Sequence, residues 1–165
     1  MSRLRFSPKE RAELYAKKNR MTIEKQIGGG FDGVVLGTSQ RTAIKSLNSY
    51  GLYRNERDVY LHLQKKQVNN VHGFEIPRLI AFDDDLFVIE MTLVSPPFLL
   101  DFAGASLVGR TRFEPEIWEE WQTEKKEQFE TEWPRVKTML YALEGLGVYM
   151  NDVHPGNVMC EQPPK

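Results

Sequence analysis

Tyr149-Met150-Asn151-Asp152-Val153-His154-Pro155-Gly156-Asn157, near the end of a sequence of 165 residues, is the stretch on which the rest of the reading turns. It sets a carboxylate, Asp152, and a carboxamide, Asn157, five positions apart on a loop punctuated by Pro155 and Gly156. An apolar, helix-like segment leads directly into it. Pro134 opens that helix, Val136, Met139, Leu140, Leu143 and Leu146/Val148 form its core stripe, and Gly145 and Gly147 end it. Before it, residues 115–130 are strongly charged, with Ile117, Trp118, Trp121 and Phe129 as apolar members. This pattern predicts an amphipathic helix whose charges face water.

The bulk properties narrow the class. A chain of this length, 41% hydrophobic, can bury the core of one domain or a little more. Its net charge of -1 provides no basic field for nucleic acid or anionic lipid, so neither is expected as a partner. The single cysteine, Cys160, excludes a disulfide framework and suits a reducing cytoplasm. Residues 1–20 are charged and carry no apolar core of a signal peptide. The longest apolar run, residues 86–107, is interrupted by Glu90, Pro96, Pro97 and Asp101, which argues against a membrane-spanning helix. A cytoplasmic protein away from the membrane is the expectation.

In the N-terminal half, Ser7-Pro8-Lys9-Glu10 reads as a capping box with proline at the first helical position, opening a helix to about Asn19 whose basic residues face solvent. Met21, Ile23 and Ile27 alternate as in a half-buried strand. Gly28-Gly29-Gly30-Phe31-Asp32-Gly33 interrupts it before Val34-Val35-Leu36 resumes as a second strand. One reading is a hairpin, with Asp32-Gly33 as a type I′ turn pair. The other is a phosphate-covering loop, since Gly28, Gly30 and Gly33 fit G-x-G-x-x-G; a strand rather than a helix follows, which excludes a dinucleotide fold. Thr42-Ala43-Ile44-Lys45 reads as a third strand, with Ala43 and Lys45 on one face.

From about Leu52 to Gln67, Leu52, Tyr53, Val59, Tyr60 and Leu63 share a helix face, and Glu56 lies within that apolar stripe. A carboxylate there needs a cation: Lys45, Arg54 or Arg57, unless it snorkels to water. Residues 77–82 and 86–92 read as two further strands joined by Asp83-Asp84-Asp85, and Pro96-Pro97 marks a break between lobes.

The order of these features resembles the protein-kinase-like superfamily: glycine loop, A-I-K strand, glutamate on a helix, two strands, break, helix, Asp…Asn loop. Asp152 and Asn157 fall on the aspartate and asparagine of H-R-D-L-K-P-E-N, and the His-Pro-Gly-Asn wording looks more like aminoglycoside- and choline-type phosphotransferases. The resemblance implies an α+β fold with a five-stranded antiparallel sheet and one packed helix, then a hinge and a reduced helical C-lobe. The implied boundaries are an N-terminal helix over 1–20, an N-lobe over 21–94 and a C-lobe over 95–165. It implies ATP and Mg2+ as cofactors. Gly28, Gly30 and Gly33 would cover the nucleotide, and Val35 and Ala43 would roof the adenine. Ile89 would be the gatekeeper, while Glu90 and Thr92 would offer backbone groups. Lys45 would orient the phosphates, Glu56 would orient Lys45, Asp152 would be the catalytic base, and Asn157 would bind magnesium.

Three departures accompany the resemblance. Met150-Asn151 replaces the usual His-Arg, removing the arginine that reads an activation-loop phosphate. His154 replaces the lysine of Ser/Thr kinases; with Asp152 it makes at most a two-ligand metal site. No D-F-G follows Asn157 before Lys165, so the second magnesium-binding aspartate, the activation loop and the large helical lobe are expected to be missing. The expectation is therefore an ATP-dependent phosphotransferase, Ser/Thr protein kinase-like in a full-length context and catalytically incomplete here, with a hydroxyl-bearing protein or small molecule as acceptor. Alternatives are a non-catalytic, pseudokinase-type scaffold that self-associates through its truncated lobe, a small-molecule phosphotransferase, and an unrelated hairpin-rich binding domain in which Lys45 and Glu56 lie far apart.

Overall fold

Ser7 starts the chain's first helix, α1 (Pro8–Lys18), by the expected reciprocal cap: its hydroxyl accepts from Glu10 N at 3.3 Å, while Glu10 Oε2 accepts from Ser7 N at 2.7 Å. This computed structural model describes residues 5–110 and 112–161; the outer ends of the expected first and last segments, 1–4 and 162–165, lie outside the described residues. Ala12, Tyr15 and Ala16 of α1 pack on Met21, Val34, Leu36, Ile44 and Val88. The expected solvent-facing basic side of α1 needs one correction. Arg11 is buried because its guanidinium donates to the carbonyls of Leu47 (2.7 Å) and Leu86 (3.1 Å) and lies over the Phe87 ring.

The strands beneath α1 are β1 (Ile23–Gly30), β2 (Gly33–Thr38), β3 (Thr42–Leu47) and, after the helix α2 (Tyr50–Lys65), β6 (Leu79–Asp83) and β7 (Val88–Thr92). They form one antiparallel sheet in the order β1-β2-β3-β7-β6, with α2 on the face opposite α1. The fold is thus α+β with the five-stranded sheet and packed helix that the motif order implied.

Four short strands were not legible beforehand: β4 (Asn70–Val71), β5 (Phe74–Glu75), β8 (Phe98–Leu99) and β9 (Val158–Met159). Each is two residues long, too short to carry a period. They make a second sheet in which β5 pairs parallel with β8, and β8 pairs antiparallel with β9 through Phe98↔Met159 and Leu99↔Val158. Between β8 and β9 come α3 (Pro115–Phe129), a 3-10 turn and α4 (Trp133–Gly145). Val136, Met139 and Leu143 of α4 are fully buried, and Trp133 packs against Trp121 and Phe129 of α3. Among the described residues no helix is long and apolar enough to cross a membrane.

The glycine-rich stretch is a hairpin, but Phe31-Asp32 form its turn rather than Asp32-Gly33, and neither takes a positive φ. Gly33 is claimed by packing. At φ +155°, a Cβ there would stand 2.0 Å from the Ser46 carbonyl oxygen on β3. Gly109 has a similar φ of +151° with nothing near its would-be Cβ, so it serves as the comparison. Gly33→Ala should lower the unfolding free energy by about 2 kcal/mol more than Gly109→Ala, because only the first adds overpacking against backbone. Urea denaturation of the two variants tests this, and equal losses would show that the sheet yields at Gly33.

Candidate functional site

A cleft of about 910 Å³ opens between the five-stranded sheet and the Asp152 loop, within the range of small-molecule sites. The β1–β2 hairpin covers one side, Met91 to Val94 line the back, and Asp101, Asp152, His154 and Asn157 line the far side.

Lys45 lies at the heart of the cleft. Strand β3 carries it between Val35 of β2 and Ile89 of β7, and its ammonium meets both Glu56 oxygens, at 2.9 and 2.8 Å. Glu56, on the inward face of α2, is wholly buried. The alternative cation Arg57 is taken by Asp58 and Asp84, each at 2.7 Å. A third charge joins the pair: Asp101 Oδ1 is 3.2 Å from Lys45 Nζ. Burial opposes the Lys45 charge, but Glu56 and Asp101 outweigh it and raise its pKa above the ordinary lysine value. Burial pushes the Glu56 carboxyl up as well, against the pull of Lys45 and of the Phe102 N–H, which donates to Oε1 at 3.4 Å.

The roof holds Gly28, Gly30, Gly33, Val35 and Ala43, all facing the cleft. The back wall departs from expectation by two residues. Ile89 is buried in the core, and Glu90 points to the opposite face, where Tyr15 Oη donates to its Oε2 (2.8 Å) and Thr42 Oγ1 to its Oε1 (2.9 Å). Its main chain sits inside the sheet, opposite Ile44 on one side and Ala81 on the other, so it offers nothing to a ligand. Met91, two residues beyond Ile89 on the same face and opposite Ala43, lines the cleft instead and receives the Tyr60 hydroxyl at 3.6 Å. Thr92 reaches the cleft, but its N–H donates to the Arg78 carbonyl at 3.0 Å. Leu93 and Val94 also line the cleft, and their main-chain groups make no hydrogen bond among the described residues.

The Asp152 loop is anchored at its base by reciprocal Ser106–Tyr149 main-chain bonds of 2.8 Å and by Asn151 Nδ2 donating to Gly104 O at 3.0 Å. Asp152 is exposed on the cleft side. Asn157 is buried and braces the loop from within: its Nδ2 donates to Asp152 O at 2.7 Å, and its Oδ1 accepts from His154 N at 3.2 Å. The His154 ring takes the Gly156 N–H on Nδ1 at 3.0 Å, which leaves the proton of a neutral ring on Nε2, 3.6 Å from Asp152 Oδ2. Among the described residues no group of three or more His, Cys, Asp or Glu is arranged to hold a metal.

The structure therefore brings Lys45, Glu56, Asp152, Asn157 and the glycine roof to one cleft and excludes Glu90 from it. It adds Asp101, where no second carboxylate was expected. The signal was present as Asp101-Phe102-Ala103-Gly104, a D-F-x-G wording that lies before the Asp152 loop instead of after it.

No family model matches the chain, and a comparison with curated proteins finds no match. Among solved structures, the streptomycin-ATP-APH(2")-IIa ternary complex is similar at 13% identity with a TM-score of 0.41. The likeness covers 81% of this chain and 40% of that one, so the chain spans about two-fifths of the length of that structure. The site is read from its own geometry.

Removing one partner of a buried ion pair leaves the other charge uncompensated. Glu56→Leu should lower the unfolding free energy by about 3 kcal/mol, and adding Lys45→Met should recover a large part of that loss. A double-mutant cycle by urea denaturation measures the coupling; strictly additive losses would mean that the two charges act independently.

Proposed function

We propose that this chain binds ATP with Mg2+ in the cleft and transfers its terminal phosphoryl group to a hydroxyl on a protein or small molecule. The observation that carries the reading is the Lys45–Glu56 pair, buried beneath a glycine hairpin and facing Asp152 and Asn157 across one cleft. Nothing in the core of an ordinary binding domain requires a lysine and a glutamate to be desolvated together at the floor of an open cavity.

Each group has a task that its chemistry permits. The ammonium of Lys45 has three donors; Glu56 and Asp101 fix it in place, and it remains aimed into the cleft for a phosphate oxygen. The hairpin has no side chains at Gly28, Gly29 and Gly30, so its main chain can approach the phosphates closely. Ala43 and Val35 leave an apolar slot for a base, and the unbonded main chain at Leu93 and Val94 replaces Glu90 and Thr92 as its hydrogen-bonding edge. Asp152, exposed beside this space, accepts the proton of the attacking hydroxyl as a general base.

Magnesium would neutralise the phosphate charge. The donors suit it: Asn157 Oδ1 is a hard oxygen that accepts a single bond, from His154 N, and so retains a lone pair. Magnesium is commonly held by one or two protein oxygens together with substrate phosphates, so the lack of a three-acid cluster is compatible with this site.

ATP with Mg2+ at about a hundred times its dissociation constant should stabilise the chain by roughly 2.7 kcal/mol, and Lys45→Ala should abolish that gain. Asp152→Asn should keep the stabilisation but lose about 10²–10⁴-fold in phosphoryl transfer. Thermal unfolding and a radiolabelled-ATP assay read the two effects. No stabilisation of the unaltered chain by ATP would reject the reading.

A further inference from the structure

An aspartate placed beside Lys45 by a strand that precedes the helices has no counterpart in the motif order read from the sequence. We propose that Asp101 is a second metal-holding residue of this site beside Asn157, supplied by the turn after β8. The proposal rests on the nucleotide reading above and assigns a role that reading leaves empty.

The pairing of β8 with β9 carries the argument. Strand β9 follows Asn157 directly, and β8 runs antiparallel to it, so the chain leaving β8 emerges beside the Asp152 loop. Leu100 N donates to the carbonyl of Asn157 itself at 2.8 Å. Asp101 is therefore one residue removed from a direct bond to the other proposed metal-holding residue.

The side chain is held as a ligand requires. Asp101 takes a φ of +65°, uncommon for a residue with a Cβ, and its Oδ1 accepts from Lys45 Nζ (3.2 Å) and Ala103 N (3.3 Å). Its Oδ2 makes no hydrogen bond among the described residues, and the side chain is 28% exposed, on the cleft. The next residue fixes the turn. Phe102 is fully buried, meets the Tyr60 ring edge-on with centroids 5.2 Å apart, and gives its N–H to Glu56. Asn55 Nδ2 adds bonds to the carbonyls of Phe102, Ala103 and Ala105, at 3.2, 2.7 and 2.7 Å. Helix α2 thus positions Glu56 and Asp101 together.

A plain counter-ion for Lys45 would show the same distance, so the test must read metal. Free Mn2+ is followed by electron paramagnetic resonance while the full chain is titrated with adenylyl imidodiphosphate, beside nucleotide binding in EDTA. The expected result is nucleotide-dependent uptake of Mn2+ by the unaltered chain, weakened at least about tenfold in Asp101→Asn and by a larger factor than metal-free nucleotide binding falls in the same variant. Unchanged uptake in that variant would overturn the assignment alone. No nucleotide binding by the unaltered chain, with or without metal, would overturn the reading beneath it too.

Because Asp101→Asn also disturbs Lys45, a second measurement uses the unaltered chain. Fe2+ bound with the nucleotide analogue, given ascorbate and peroxide, cleaves main chain beside its ligands. Cuts near both 101 and 157 are expected; cuts near 157 without cuts near 101 would reject Asp101.

Discussion

One ammonium between two carboxylates ties this molecule together. Lys45 comes from β3, Glu56 from α2 and Asp101 from the turn after β8, three segments whose charges meet at one point. Removing such charges from water costs several kcal/mol per ion, and the cost is offset only when every partner arrives. The ion cluster therefore makes the placement of α2 and of the β8 turn conditional on each other. Phe102 reinforces that dependence by filling the space beside Tyr60 while its N–H donates to Glu56 Oε1.

The side of the molecule facing α4 follows the same logic. The side chain of Asn151 is bonded to the carbonyl of Gly104, three residues beyond Asp101. The Asp152 loop and the Asp101 turn are thereby tied together by a neutral side chain, with Ser106 and Tyr149 as a second tie.

What could be read from the sequence was what is local. The Ser7–Glu10 cap, the placement of Ala43 and Lys45 on one face of β3, and the unwelcome charge of Glu56 in an apolar stripe each announced themselves within a few residues, and the order of motifs implied the main sheet; β1, read as half-buried from Met21, Ile23 and Ile27, is instead largely exposed. The errors have physical causes of two kinds. The β7 strand is a continuous apolar run broken by Glu90, and nothing local tells which of its faces meets the cleft; α1 supplies Tyr15 to receive Glu90, and that decides it. Asp101 escaped because its position depends on β8 pairing with β9 across the whole helical segment, and two-residue strands leave no periodic trace.

That long-range pairing also sets a timetable. On the ribosome, β1 to β3, α2, β6 and β7 emerge together and have nearly all their mutual contacts within reach, whereas β8 must wait for α3, α4 and the Asp152 loop before β9 exists to meet it. Contacts of such high sequence separation form late. A nascent chain thus acquires the glycine roof of the cleft early and the far side of the cleft last. The half-made protein can shelter Lys45 beside Glu56 before Asp152 and Asn157 stand opposite them.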